Sequence, residues 1–99
     1  MKARFTWDPA KNARNQRRHG VSFETAPEVF ADPFMISTES YYFPEGDEQR
    51  YIAMGMTRHL QLLVVVFADH SKADVEVIHI ISARKAVAYE EKIYEVQTS

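Results

Sequence analysis

The stretch that most constrains the fold is "QLLVVVFA", residues 61–68. Leu62 to Phe67 is apolar on both faces of an extended chain, so it needs cover above and below, as a central strand does. Around it lie "MISTESYY" (35–42), "RYIAMGMT" (50–57) and "VEVIHIIS" (75–82), each β in pattern. The breaks between them carry turn residues or charges: "PEGDE", "TRH" and "DHSKAD". Strands joined so briefly read as an antiparallel meander. "ARFTW" (3–7) alternates well enough to be a short extra strand, and fits an extended lead-in equally well.

Helical patterns flank the meander. In "WDPAKNARNQRRHG" (7–20), Asp8 is a good N-cap, Pro9 takes the first helical position and Gly20 is placed to stop the helix. Its interior is mostly polar, and Ala10, Ala13 and the stem of Arg17 share one stripe. That predicts docking through a narrow face of small residues. Arg14, Arg17, Arg18 and His19 fall in its last turns, where cations complement the helix dipole. A second helix is expected from Ser22, an N-cap with Glu24 in the first turn, to about Phe30, short or kinked at Pro27. A terminal helix is expected from Ala83 to about Val96, with Ala86, Tyr89 and Ile93 on its apolar face and Val87 and Tyr94 near the edge. The predicted class is α+β: two N-terminal helices, a four-stranded antiparallel meander and a C-terminal helix, in one domain over residues 1–99.

Several function classes drop out. The chain has no cysteine, which excludes disulfides, thiolate zinc sites and cysteine catalysis. Its longest apolar run, Leu62 to Ala68, is far short of the ~20 residues of a membrane span. The N-terminus lacks the apolar core of a secretory signal, so a cytoplasmic protein away from the membrane is expected. His19, His59, His70 and His79 are scattered without metal-ligand spacing, and neither a phosphate-binding glycine motif nor a nucleophile elbow occurs. Net charge is −2, but residues 1–20 set six cations against Asp8 alone, and the rest sets six cations against thirteen carboxylates. Two readings stay open: a basic patch for phosphates or an acidic partner, or a solvated helix face balanced by internal pairs.

The segment "HIISARKA" (79–86) is where chemistry concentrates. If Ser82 caps the terminal helix, Arg84 and Lys85 occupy its first turn, where each cation is disfavoured by about 0.3–1 kcal/mol unless an anion intervenes. A bound phosphate at that helix start would resolve the violation. A bridge from Arg84 to a carboxylate such as Glu48 or Glu24 would resolve it too. His79 shares a strand face with Val75, Val77 and Ile81 and is expected to be half buried, as a packing histidine or as an acid/base. Arg50 opens a neighbouring strand and can reach the same end of the sheet.

Taken together, "FTWDPAKNARNQRRHGVSFETA", "VFADP", "RYIAMG", "LLVVVF" and "IHIISARKA" resemble the BrnT family, small ribonuclease toxins of bacterial type II toxin–antitoxin pairs related in fold to RelE-like toxins. The resemblance runs from Phe5 to about Tyr94. It rests on Trp7, Asp8, Lys11, Asn15, His19, Gly20, Val21 and Phe23, paired with the run from Ile81 to Ala86. It implies a metal-independent endoribonuclease, without cofactor, that cuts RNA and slows translation. It also implies a BrnA-like antitoxin whose own domain binds operator DNA, in a dimer or a two-plus-two assembly. The implied catalytic set is Arg84, Lys85 and Arg50; His79 joins it as a candidate acid/base on its own chemistry, not from the resemblance. Lys11, Arg18 and His19 join the RNA-binding set, and Glu24 is the candidate general base. His79 departs from the family's usual Arg in "I-R-I-I-S-A-R"; it either supplies an acid/base or removes a permanent cation and weakens the toxin. The non-enzymatic alternative is a toxin-fold module that mainly binds an antitoxin. The enzyme reading expects Arg50, His79 and Arg84 on one concave basic surface within a phosphate's reach, whereas an Arg84 locked into a buried carboxylate pair together with a His79 packed in the core favours the module.

Overall fold

The computed structural model describes residues 3–40 and 48–99. Among them the chain forms, in order, β1 (Arg4–Thr6), α1 (Pro9–His19), a 3₁₀ turn (Phe23–Thr25), α2 (Ala26–Ala31), β2 (Ile36–Ser40), β3 (Arg50–Met56), β4 (Leu62–Asp69), β5 (Val77–Lys85) and α3 (Ala88–Thr98). The α+β class holds. Strand order is β1-β5-β4-β3-β2, with β4 in the middle as its two-sided apolar pattern requires. Residues 41–42 of the expected first meander strand, and 44–47 of the turn after it, lie outside the described residues.

The sheet corrects the expectation of four antiparallel strands. The strands from β2 to β5 do form the meander, but β1 adds a parallel fifth, with Arg4 opposite Val77 and Thr6 opposite His79. The physical reason is the outer edge of β5, whose backbone groups need partners. "ARFTW" supplies them for the first half of the strand, starting with Arg4 N–H donating to Glu76 O at 2.8 Å.

Alternate residues of the sheet feed two cores. On one face Leu63, Val65, Phe67, Ala53, Ile78 and Ile80 pack with Phe23 of the 3₁₀ turn and Ala26 and Val29 of α2. Phe67 is sandwiched there, Phe30 edge-on at 5.0 Å and Tyr51 stacked at 5.5 Å. On the other face Val64 and Met54 meet Tyr94 of α3. Gly55 lets α2 approach β3: a Cβ there would lie 2.8 Å from the Val29 carbonyl oxygen.

The α1 punctuation is as expected. Asp8 accepts from Ala10 N–H, Pro9 opens the helix, and Gly20 closes it at φ 69°. Its docking face is not. Ala10, Ala13 and Arg17 are exposed, and the helix is held by Asn12 and Asn15. Asn12 Oδ1 accepts from Phe23 N–H at 2.8 Å. Asn15 lies against the part of β5 that β1 does not reach. Its Nδ2 donates to Ala83 O at 2.8 Å and to Val21 O at 2.9 Å, while Oδ1 accepts from Ala83 N–H at 3.3 Å. One amide thus does for Ala83 what a neighbouring strand would do.

The second expected helix resolves into two pieces: Ser22 caps the 3₁₀ turn, and Pro27 sits in the first turn of α2, where its missing N–H costs nothing. The terminal helix is a larger correction. β5 continues through Lys85, held by β4 on one side and Asn15 on the other, and α3 starts only at Ala88. Ser82 therefore caps nothing, and Arg84 and Lys85 are strand residues. The helix start is marked by Glu90, whose carboxylate accepts from Val87 N–H at 2.9 Å. The face of α3 also differs: Glu90, Tyr94 and Thr98 turn inward, while Tyr89, Ile93 and Val96 are exposed. Tyr94 OH donates to Asp32, which also accepts from Met56 N–H and Phe34 N–H, so one carboxylate ties α2, β3 and α3 together. Burial alone would raise the Asp32 pKa, but those three donors outweigh it and hold the group below the usual carboxylate range. Burial and the bond to Asp32 push Tyr94 up to about 12. No helix among the described residues is long and apolar enough to cross a membrane.

Candidate active site

Because α1 docks along the edge of β5 through Asn15, its cationic side chains overhang the sheet. Lys11, Arg14, Arg18 and His19 from α1 and Arg50 from β3 surround a groove of about 280 Å³, floored by Ile81 and Ser82. No carboxylate stands among the described residues lining it. The floor exists because the pairing of β4 and β5 shifts between Val66 and Phe67, leaving Ile81 as an extra residue in β5. Such bulges re-aim side chains. Of two larger depressions, the one beside Phe5 and Phe30 is lined mainly by apolar side chains, and the one beside Pro27 and Met56 also takes in Glu28, Asp32, Thr57 and Arg58.

Of the predicted residues, the groove gathers Lys11, Arg18, His19 and Arg50. It adds Arg14, one of the six cations of residues 1–20, which is not among the site residues expected from the sequence. Four permanent cations around one concavity form a natural seat for polyanion backbone.

His79 does not line the groove; it lies two residues before Ile81 on β5. On β5 it is opposite Ala68 of β4 and Thr6 of β1. Its Nδ1 lies 2.8 Å from Thr6 Oγ1, and its ring stacks on His70 at 4.8 Å, nearly parallel at 10°. His70 Nε2 in turn sits 2.8 and 2.9 Å from the two oxygens of Glu48. Burial first, and then the neighbouring His70, lower the His79 pKa below the usual histidine value; Lys11 acts in the same direction, Glu48 and Asp8 against it. His79 is thus half buried as expected, but among polar groups rather than in the core. Sequence reasoning does not single out His70. The signal for it is weak: a histidine at the end of β4, just beyond the register position of His79.

Arg84 and Lys85 are elsewhere. Arg84 forms a two-pronged pair with Glu90, Nη1 to Oε1 at 2.8 Å and Nη2 to Oε2 at 2.9 Å. Hydrogen bonding to Glu90 raises the Arg84 pKa, and the same bonds lower that of Glu90. The bridge is of the expected kind with a different carboxylate, because α3 begins late enough to bring Glu90 over β5. Lys85 is exposed beside Gln61 and Glu91. Glu24 is exposed on the 3₁₀ turn and does not line the groove. Among the described residues, no cluster of three or more histidine and carboxylate side chains is disposed to hold a metal ion.

Two comparisons bear on this arrangement. The family model for "Ribonuclease toxin, BrnT, of type II toxin-antitoxin system" matches residues 7–90. The fold is similar to a 1.1 Å crystal structure of the Brucella abortus ribonuclease toxin BrnT, with a TM-score of 0.57 and 21% sequence identity over 88% of this chain and 100% of that one. No match is found among curated proteins.

Proposed function

This chain belongs to the family of BrnT ribonuclease toxins of type II toxin–antitoxin systems, and on that footing we propose that it is a metal-independent endoribonuclease acting on RNA in the cytoplasm. The observation that carries this reading is the groove, where Lys11, Arg14, Arg18 and Arg50 converge on one concavity. Metal-free cleavage of RNA needs the 2′-OH deprotonated and the charge of the five-coordinate phosphate stabilised. Fixed cations supply the second, and stabilisation of this kind is usually the largest single contribution. An imidazole supplies the first: His79 lies outside the groove lining, but Lys11 of the groove is close enough to act on its titration. Translation inhibition, a kinship with RelE-like toxins, and neutralisation by a BrnA-like antitoxin that binds operator DNA complete the proposal.

One observation favours the alternative, a module of weak or absent activity that mainly binds an antitoxin. Arg84, the expected phosphate-binding cation, is taken by Glu90. Arg50→Ala and Arg84→Ala variants incubated with mixed-sequence RNA separate the two. The enzyme reading expects wild-type cleavage that falls at least tenfold in Arg50→Ala. RNA left intact by the wild type would favour the module.

A further inference from the structure

We propose that Glu48, His70 and His79 form the proton-transfer array of the cleavage, His79 accepting the proton of the attacking 2′-OH and His70, oriented by Glu48, protonating the departing 5′-oxygen. This rests on the ribonuclease reading above. Two imidazole rings 4.8 Å apart and nearly parallel repel one another if both are charged, so the stacked pair is built to carry no more than one proton charge. His70 Nε2 lies within hydrogen-bond distance of both Glu48 oxygens, so of the two rings it is His70 that has a carboxylate as the partner for a donated N–H. His79 is on the side with Lys11, and burial together with His70 lowers its pKa, which leaves it neutral and basic. The two neighbouring histidines are thus set to opposite tasks by their surroundings, the pattern that assigns an acid and a base.

Atoms and charge balance. With Nδ1–H donating to Thr6 Oγ1, His79 presents the Nε2 lone pair. With Nε2–H held by Glu48, His70 presents Nδ1–H. The 2′-oxygen forms a bond to phosphorus as His79 takes its proton, and the P–O5′ bond breaks as His70 gives up its own. The products are a 2′,3′-cyclic phosphate and a 5′-hydroxyl. One positive charge passes from His70 to His79, so the stack never carries two. The other charged groups facing the pair are Lys11 of α1, Asp8 at its cap and Asp69 beside His70. His79 and His70 act here as catalytic residues, and Glu48 as a positioning residue.

The test uses the whole protein, a mixed-sequence oligoribonucleotide, and its counterpart with sulfur in place of the bridging 5′-oxygens, a leaving group that needs no proton. His79→Gln and His70→Gln should each lose about 10²–10⁴-fold on the natural RNA. The pH profile of kcat/KM should be bell-shaped for wild type, lose its acidic limb in His79→Gln and lose its alkaline limb in His70→Gln. Sulfur should restore His70→Gln to within about tenfold of wild type and leave His79→Gln impaired. Glu48→Gln, on an exposed side chain, should move the alkaline limb to lower pH. Wild-type cleavage with no rescue of His70→Gln, or with both limbs kept in either variant, overturns the array alone. RNA left intact by the wild type overturns the ribonuclease reading and the array with it.

Discussion

Replacing Asn15 with alanine removes the amide that stands in for a strand beside Ala83. Three buried backbone groups lose their partner: Ala83 N–H, Ala83 C=O and Val21 C=O. An orphaned buried group costs about 1–3 kcal/mol. Water can enter part of the space left by the side chain, so the low end applies to each, and the sum is about 3 kcal/mol. A domain of this length has roughly 5–15 kcal/mol in total, so the loss is a large fraction. In a urea titration the midpoint should fall with the slope unchanged, and the melting temperature should drop by roughly 12–24 °C. Asn15→Asp sharpens the test because it keeps the shape and removes the donor. Its carboxylate would face two carbonyl oxygens, so the folded state favours the protonated acid and raises its pKa above the unfolded value of about 3.9. Stability is then greatest at low pH and is lost as pH rises through the raised pKa. The variant should melt closer to wild type at about pH 5 than at about pH 8. A loss under about 1 kcal/mol in Asn15→Ala, with no pH trend in Asn15→Asp, would refute the view that one amide completes the sheet edge.

Other outcomes follow from the same contacts. Asp32, held below the usual range, contributes stability that is lost as pH falls through its folded pKa, and Tyr94, pushed to about 12, contributes stability lost as pH rises from about 10 to 12; thermal melts of Tyr94→Phe should lose the alkaline part of that dependence. Gly55→Ala should cost about 1–3 kcal/mol by driving α2 off β3, since its Cβ meets the Val29 carbonyl, and circular dichroism melts will read it. Arg84→Ala should cost about 1–2 kcal/mol, because it leaves the inward-turned Glu90 without its guanidinium while the arginine itself is partly solvated. Lys11→Ala or Arg18→Ala should weaken RNA binding and lower the salt dependence of the binding constant by about 0.7 for each phosphate no longer neutralised, measured by fluorescence anisotropy.

Much of the fold is written in local patterns. Leu62 to Phe67 places the central strand, and Asp8, Pro9 and Gly20 bound α1, because apolar periodicity and caps act over a few residues. The parallel pairing of Arg4–Thr6 with β5 joins distant parts of the chain and leaves no such local mark. The junction at Ser82–Lys85 misleads for a related reason. Ser followed by Ala, Arg, Lys and Ala has helical propensity, yet tertiary hydrogen bonds from β4 and Asn15 hold it extended through Lys85. Glu90, three residues after Val87, is the better start signal, although Val87 lacks a capping side chain. The site follows the same division. The cations of α1 are visible in the sequence as a polarised charge, but their convergence with Arg50 depends on α1 lying along an open strand edge. His70 becomes visible only once the end of β4 is laid beside His79.

Metal-free cleavage is tested most directly by incubating RNA with the purified protein in the presence of EDTA and analysing the new ends. The expected result is cut RNA bearing 2′,3′-cyclic phosphate and 5′-hydroxyl termini, with activity unchanged by the chelator and at least tenfold lower in Arg50→Ala. RNA that stays intact, or cleavage that EDTA abolishes, would contradict a metal-independent ribonuclease built on this groove.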